Sequence, residues 1–135
     1  MLKKKILVVD DNEKNLLLIK DILIYHGYEV IDAENGADGV KMAREQKPDL
    51  ILMDVQMPVM NGYMATKTLK DDPETRNIKI IALTSFAMKG DNDKILGAGF
   101  DGYISKPIDT RELPNIVKYF VREAAKGEER KEPYG

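Results

Sequence analysis

Side chains that could bind a metal ion and a phosphoryl group follow four short apolar runs of this chain. They are Asp10 and Asp11 after "ILVV", Asp54 after "LILM", Thr84 after "IIAL" and Lys106 after "YIS". Carboxylates bind hard divalent cations, a hydroxyl donates a hydrogen bond to a phosphoryl oxygen, and an amine neutralises that oxygen's charge. Together these groups predict phosphoryl transfer with Mg²⁺, in which one carboxylate acts as nucleophile and becomes an acyl phosphate.

Each of these residues also has a purely structural interpretation. Asp10 and Glu13 have the spacing of a helix capping box. The others could be a turn residue, a helix cap and a solvated amine, namely Asp54, Thr84 or Ser85, and Lys106. Independent caps and turns give no reason for acids, a hydroxyl and an amine to gather at one place. The combined pattern therefore favours a functional site.

Apolar runs alternate with amphipathic segments along the chain, which predicts alternating strands and helices. The predicted strands are residues 5–9, 29–33, 50–53, 79–84 and 102–105. The predicted helices are residues 12–26, 36–46, 63–71, 88–97 and 111–125. This alternation predicts an α/β fold, a doubly wound five-stranded parallel sheet with helices on both faces. Continuously apolar strands such as "LILM" are typical of strands buried on both faces.

Ligands of an open parallel sheet bind beyond the carboxyl ends of the strands, where the strand order reverses. With strand order 2-1-3-4-5 the first and third strands are neighbours, so Asp10, Asp11 and Asp54 are expected to converge in one shallow cleft. Close carboxylates repel each other, and a hard cation relieves this repulsion. Because the chain has no cysteine and only one histidine, Mg²⁺ is the expected ion.

Length and composition limit the possible classes of protein. The 135 residues suit one domain, residues 1–125, followed by a charged tail or linker stub, residues 126–135. A net charge of −2 predicts no general affinity for nucleic acid or anionic membranes. No segment approaches membrane-spanning length, so we expect a soluble, cytoplasmic protein. His26, before Gly27, is expected to end a helix, and Met1 favours an authentic N-terminus.

The sequence resembles the receiver domain of two-component response regulators, the CheY-like or flavodoxin-like fold. The resemblance covers about residues 4 to 125. It depends on five features in order: Asp10-Asp11, Asp54 before "VQMPVMNG", Thr84-Ser85, Tyr103, and Lys106-Pro107. Such a chain is expected to be either a stand-alone receiver or a receiver cut from a larger regulator.

The resemblance implies a role for each matched residue. Asp54 is the phosphoryl acceptor, and Lys106, after which a cis bond is expected, pairs with the phosphoryl oxygen. Asp11, Asp54 and the Gln56 carbonyl bind Mg²⁺ directly, while Asp10 holds a metal-bound water. The switch residues are Thr84, which moves towards the phosphoryl group, and Tyr103, which turns inward. Gln56 and Phe86 are placed where relatives tune access of hydrolytic water.

The resemblance also implies partners and a mode of action. The donor is a phosphohistidine on a sensor histidine kinase or histidine phosphotransfer protein, and the output is contact with a downstream protein target. We expect no direct binding of nucleic acid, no membrane association, and a monomer or weak dimer. The chain is expected not to be a turnover enzyme, apart from catalysing its own phosphorylation and dephosphorylation. Residues 86–97 are expected to move with Thr84 and Tyr103 when phosphate is bound.

Three other classes compete with this interpretation. A nucleotide- or flavin-binding module lacks support because "DDNEKN" after the first strand contains no glycine to cradle phosphate. An aspartyl phosphohydrolase needs a second aspartate two residues after Asp10, where Asn12 stands. A receiver that no longer accepts phosphate is disfavoured by the intact acids.

The first helix carries a further hint about partners. Leu18, Ile19, Ile22 and Leu23 are predicted to form its buried stripe, whereas Leu17 and Ile24 lie on its outward face. Scattered exposed apolar residues are normal on protein surfaces. The alternative is that this face docks a helical phosphotransfer partner beside the acidic cleft.

Overall fold

The computed structural model describes residues 3–57, 60–85 and 89–126, with side chains described for all of these except residues 89–92 and 123–126. Within these residues the chain alternates five strands with five helices. The strands are β1 (Lys5–Val9), β2 (Glu29–Ala33), β3 (Leu50–Asp54), β4 (Lys79–Thr84) and β5 (Gly102–Ser105). The helices are α1 (Glu13–Tyr25), α2 (Gly36–Gln46), α3 (Gly62–Asp71), α4 (Lys89–Gly97) and α5 (Glu112–Lys126). Every predicted element is confirmed, with ends that differ by at most one residue.

The strands form one parallel sheet in the order β2-β1-β3-β4-β5, as predicted. In the register of the central strands, Val9 of β1 lies opposite Met53 of β3, and Asp54 lies opposite Leu83 of β4. The carboxyl ends of β1, β3 and β4 therefore reach the same edge of the sheet. The acidic and hydroxyl side chains that follow these ends are brought together by this register.

The core has two layers, one on each face of the sheet. Successive residues of β3 point to opposite faces, so Leu50 and Leu52 pack with α1 and α5, whereas Ile51 and Met53 pack with α2, α3 and α4. All four side chains are fully buried, which explains the unbroken apolar run. The α5 helix buries Leu113, Ile116, Val117, Phe120 and Val121 against the sheet.

The buried face of α1 differs in part from the prediction. Ile19 and Leu23 are buried as expected, but Leu16 is the third buried residue and Leu18 is 38% exposed. Three consecutive leucines left the helical phase ambiguous, and packing against the sheet selected the spacing 16, 19 and 23. His26 forms the C-cap of α1, as predicted.

The capping-box interpretation of the first loop is wrong. Asn12 is the N-cap of α1, and its side-chain oxygen accepts hydrogen bonds from the backbone N–H groups of Lys14 at 3.0 Å and Asn15 at 3.1 Å. Asp10 instead lies at the end of β1, where its carboxylate accepts a hydrogen bond from the Asn12 N–H at 2.8 Å. Because Asn12 caps the helix, Asp10 does not act as the N-cap of α1. In the described stretches, none of the helices combines the length and apolar character needed to cross a bilayer.

Candidate functional site

Three carboxylates meet at the carboxyl edge of the sheet. Asp10, Asp11 and Asp54 each place one carboxylate oxygen within 4.8 Å of the other two. Asp10 is fully buried and Asp54 is 3% exposed, whereas Asp11 faces solvent. The predicted convergence of the three acids is therefore confirmed. One acid forms the open side of the cluster, and two form its floor.

Lys106 lies between the two buried acids. Its Nζ is 3.2 Å from Asp10 Oδ2 and 3.2 Å from Asp54 Oδ2. Lys106 directly follows β5. Its backbone N–H donates a hydrogen bond to the Thr84 carbonyl at 2.8 Å, which holds the backbone of Lys106 beside the end of β4. The peptide bond from Lys106 to Pro107 is cis, as expected. The sequence predicted an amine at this edge but not that it would bridge two carboxylates.

The two buried acids have further hydrogen-bond partners besides Lys106. Asp54 Oδ1 accepts a hydrogen bond from the Gln56 N–H at 3.0 Å, so its Oδ2 is the oxygen that faces Lys106. Asp10 Oδ2 also receives the Asn15 side-chain amide at 3.5 Å. The spacing of the acids did not single out Asn15; the signal that could have done so is its position in the first turn of α1, three residues after the Asn12 cap. These contacts orient both buried acids before any ligand arrives.

The environment of Asp54 changes its acidity. The pKa of the Asp54 carboxyl is raised from 3.8 to about 6, mainly by burial; the Asp10 charge also raises it, whereas the Gln56 N–H and Lys106 lower it. For Lys106, burial lowers the pKa, but the charges of Asp10 and Asp54 outweigh burial and leave the pKa above its usual value. At neutral pH the cluster therefore holds an ionised but unusually basic carboxylate beside a permanent ammonium.

The hydroxyl side chain lies on β4, next to the strand of Asp54, and the aromatic side chain lies on β5, one strand further along the sheet. Thr84 is the last residue of β4 and is 2% exposed, and Ser85 follows it with its side chain exposed. Tyr103 lies on β5 opposite Ala82, and its half-buried ring packs on the side of α2, α3 and α4. Because side chains alternate along a strand, Thr84 points to the same face as Ala82 and Tyr103. Phe86, the expected neighbour of the site, lies outside the described residues.

Comparison with known proteins agrees with this geometry. Residues 6–118 match the response regulator receiver domain family. The chain belongs to this family. The receiver domain accounts for every described strand and helix up to the middle of α5.

Curated relatives of this receiver domain include polar-differentiation response regulators. The relative from Brucella anthropi, named DivK, is 46% identical over 121 residues, which cover 90% of this chain and 98% of the relative. The relative from Brucella ovis, of the same name, is 45% identical over the same length. The receiver domain described here is accordingly a phospho-accepting component of two-component signalling.

Solved structures confirm the receiver fold. The receiver domain of a sensor histidine kinase from Pseudomonas aeruginosa superposes with a TM-score of 0.84 and 36% identity, covering 90% of this chain and 100% of that one. That neighbour was solved with a magnesium ion coordinated in its active-site cleft. The chemotaxis response regulator CheY4 of Vibrio cholerae gives a TM-score of 0.84 at 26% identity, over 88% of this chain and 99% of its own.

The acids of this receiver domain suit a hard divalent cation. The cluster offers carboxylate oxygens from Asp10, Asp11 and Asp54, and the sequence has no cysteine to provide soft ligands. Three carboxylates and the single ammonium of Lys106 leave two negative charges when all are ionised. A divalent ion balances that charge.

The geometry also speaks against the phosphohydrolase alternative. Asn12, which stands where a second catalytic aspartate would be needed, is occupied as the cap of α1. The loop from Asp10 to Asn12 presents acids and a capped helix end in place of a glycine-rich phosphate cradle, which disfavours a nucleotide-binding module.

Proposed function

We propose that Asp54 takes a phosphoryl group from a phosphohistidine of a sensor histidine kinase or histidine phosphotransfer protein. An Asp54 carboxylate oxygen attacks phosphorus and forms an acyl phosphate, while the nitrogen–phosphorus bond breaks and the imidazole leaves with the electron pair. The observation that carries this proposal is the placement of Asp54 at the centre of the site. It is buried and contacts Lys106 at 3.2 Å. Its strand, β3, lies between β1, which precedes Asp10, and β4, which ends with Thr84.

The charge on Asp54 supports its role as nucleophile. With a pKa of about 6 the carboxylate is largely ionised at neutral pH and more basic than an ordinary aspartate. A more basic oxygen is a better nucleophile, and the Gln56 N–H leaves Oδ2 as the oxygen nearest the incoming group. Burial thus increases the reactivity of Asp54 without protonating it at neutral pH.

The same cluster supports Mg²⁺ as the cofactor. Asp11, Asp54 and the Gln56 carbonyl would bind the ion directly, and Asp10 would hold a metal-bound water. When bound, Mg²⁺ supplies positive charge that neutralises the phosphoryl oxygens and orients them. Asp10, held by Asn12, Asn15 and Lys106, keeps its carboxylate in place as this charge rearranges.

Lys106 and Thr84 would stabilise the new phosphoryl group. Because Lys106 contacts Asp54 Oδ2 in the resting site, its ammonium is already within reach of an oxygen added there. Thr84 ends the strand next to β3 and would donate its hydroxyl to another phosphoryl oxygen. A movement of Thr84 leaves space on the face it shares with Tyr103, into which the half-buried ring would turn.

This coupled movement would carry the signal to the surface near α4 and α5. The α4 helix follows β4, so a shift at Thr84 is transmitted along the chain to its start. Residues 86–88 of the expected moving segment lie outside the described residues. A downstream protein that prefers one arrangement of this surface would then report the phosphorylation state.

We propose that the α1 helix forms the docking face for the phosphohistidine partner. Leu17 and Ile24 are 57% and 52% exposed, which confirms their predicted outward position, and Tyr25 is 86% exposed beside them. Positions 17 and 24 are two turns apart on one face. The helix begins directly after the acidic loop, so a partner helix lying on this face would reach the cleft.

In the proposed role, the protein is a switch that catalyses its own phosphorylation and dephosphorylation and is not a turnover enzyme. Its proposed contacts are the phosphohistidine donor and a downstream protein, without direct nucleic-acid binding, and it acts as a monomer or weak dimer. A cytoplasmic location stays a prediction from the sequence.

The acceptor assignment is tested by incubating the protein with acetyl phosphate and Mg²⁺ and measuring its intact mass. Wild type is expected to gain one phosphoryl adduct, and Asp54→Asn none. Asp71→Asn, an exposed acid on α3, is the matched control and should gain the adduct as wild type does. An adduct on Asp54→Asn equal to that on wild type would reject Asp54 as acceptor. Omission of Mg²⁺ with added chelator should abolish uptake by wild type and by Asp71→Asn.

A further inference from the structure

Two glycines contact the loop that follows β3, one where the loop exits into α3 and one on the neighbouring helix α2. At its exit, the Gly62 N–H donates to the Val55 carbonyl at 3.3 Å, and a Cβ at Gly62 would lie 2.2 Å from the Asp54 carbonyl oxygen. Before that point, the Met60 carbonyl accepts the N–H of Gly36 at 3.1 Å. Gly36 belongs to α2 and is distant from the loop in sequence. The loop is thus fixed both by its own helix and by a neighbouring one.

We infer that Gly36 is a positioning residue for phosphoryl transfer, because its bare backbone sets where the loop carrying Gln56 lies against Asp54. This inference rests on the proposed function of Asp54. A Cβ at Gly36 would lie 2.2 Å from Met60 O and 2.9 Å from Met60 C. Both are backbone atoms, so no side-chain rotation relieves the contact. Only glycine permits this approach of α2 to the loop.

An added Cβ would displace the loop more readily than the helix. The α2 backbone is pressed against β1 at Gly39, where a Cβ would lie 2.9 Å from a Val9 methyl carbon. The helix also buries Val40 and Ala43 in the core. The loop is held less firmly, because Gln56 is exposed and Met60 is only half-buried. The loop therefore takes up the displacement.

The displacement is large enough to affect chemistry. Real Cβ atoms do not approach other atoms closer than 3.0 Å, so a methyl group at Gly36 pushes Met60 O away by about 0.8 Å. The shift propagates towards Gln56, whose N–H orients the Asp54 carboxylate through the 3.0 Å hydrogen bond. A misplacement of about 1 Å costs on the order of 100-fold in rate when reacting groups must be aligned. We expect a loss of at least about tenfold from Gly36→Ala.

The test is the initial rate of phosphorylation of Gly36→Ala by acetyl phosphate, followed by intact mass well below the melting temperature. The donor concentration is varied to separate the maximum rate from the half-saturating concentration. The control is Ala43→Gly, which weakens the same helix from its fully buried face without touching the loop. We expect the maximum rate to fall at least about tenfold for Gly36→Ala and to stay within twofold of wild type for Ala43→Gly. A wild-type rate for Gly36→Ala, or equal losses in both variants, would overturn the inference.

A second measurement on the wild-type protein needs no variant to fold. Mg²⁺ alone is titrated while backbone amide signals are followed by NMR. If Gly36 holds the loop, its amide signal should shift with the same midpoint as that of Gln56. The amide of Gly39, which donates to Asn35 within the same helix, serves as the reference and should stay in place. An unmoved Gly36 signal at saturating Mg²⁺ would contradict the inference.

The two hypotheses fail separately. An adduct on Asp54→Asn removes the proposed function itself. Loss of the adduct in Asp54→Asn, together with an unimpaired Gly36→Ala, leaves the proposed function intact and removes only the role of Gly36.

Discussion

Replacing Asp54 by asparagine should stabilise the folded protein at neutral pH relative to wild type. The buried carboxyl has a pKa of about 6 in the folded chain and an ordinary value of 3.8. Between these two values the folded state binds one proton more than the unfolded state. The free energy of unfolding of wild type therefore decreases as pH rises through this window. Asparagine has no proton to lose, so the variant lacks this decrease.

The size of the effect follows from the pKa shift. A shift of one pKa unit corresponds to about 1.4 kcal/mol, so the change from 3.8 to about 6 corresponds to about 3 kcal/mol. The contribution is fully present below pH 4 and lost by about pH 7. Near pH 4 the neutral acid and the amide have similar shape, and either accepts the Gln56 N–H bond. The comparison at that pH therefore provides the baseline.

The assay is urea unfolding of both proteins at several pH values between 4 and 7.5, with chelator present to remove divalent ions. The free energy of unfolding of Asp54→Asn minus that of wild type should rise by about 3 kcal/mol from pH 4 to pH 7 and level off above pH 7. Asp71→Asn, an exposed site, corrects for the loss of one negative charge from the whole chain. A difference that stays flat, or that falls with pH, would refute the view that burial raises the proton affinity of Asp54.

Three further predictions concern metal binding, docking and switching. Mg²⁺ at ten times its dissociation constant should stabilise wild type by about 1.4 kcal/mol, or about 5 °C in melting temperature, and Asp11→Asn less; a melting temperature indifferent to millimolar Mg²⁺ would contradict the metal site. Leu17→Lys should slow phosphoryl transfer from a phosphohistidine partner but not from acetyl phosphate. The control Met64→Lys, at a site on α3 that is 55% exposed and so similar to Leu17 at 57%, should slow neither reaction. Tyr103→Ala should take up phosphate normally yet bind a downstream partner equally with and without it; loss of uptake would contradict the switch assignment.

The sequence by itself predicted the architecture and the acidic, hydroxyl and amine side chains that follow the strands at one edge of the sheet. Strand period, helical period and apolar runs are local properties, so the elements were predicted to within one residue. The unbroken run of β3 required burial on both faces, and that requirement implied a parallel sheet. In such a sheet with strand order 2-1-3-4-5, β1 and β3 are neighbours, so Asp10 and Asp54 meet at one edge because adjacent parallel strands end together.

Only the tertiary structure decided how these groups contact one another. Lys106 bridges Asp10 and Asp54, and the backbone of Gly36 lies against Met60, because loops and helices distant in sequence pack together there. The α1 phase was decided in the same way, since burial of Leu16 depends on the sheet beneath the helix and not on the helical period alone. Distances between segments are set by packing of the whole chain, which no local pattern encodes. Composition and spacing therefore specified which groups the site contains, and packing specified how close they come and how their charges interact.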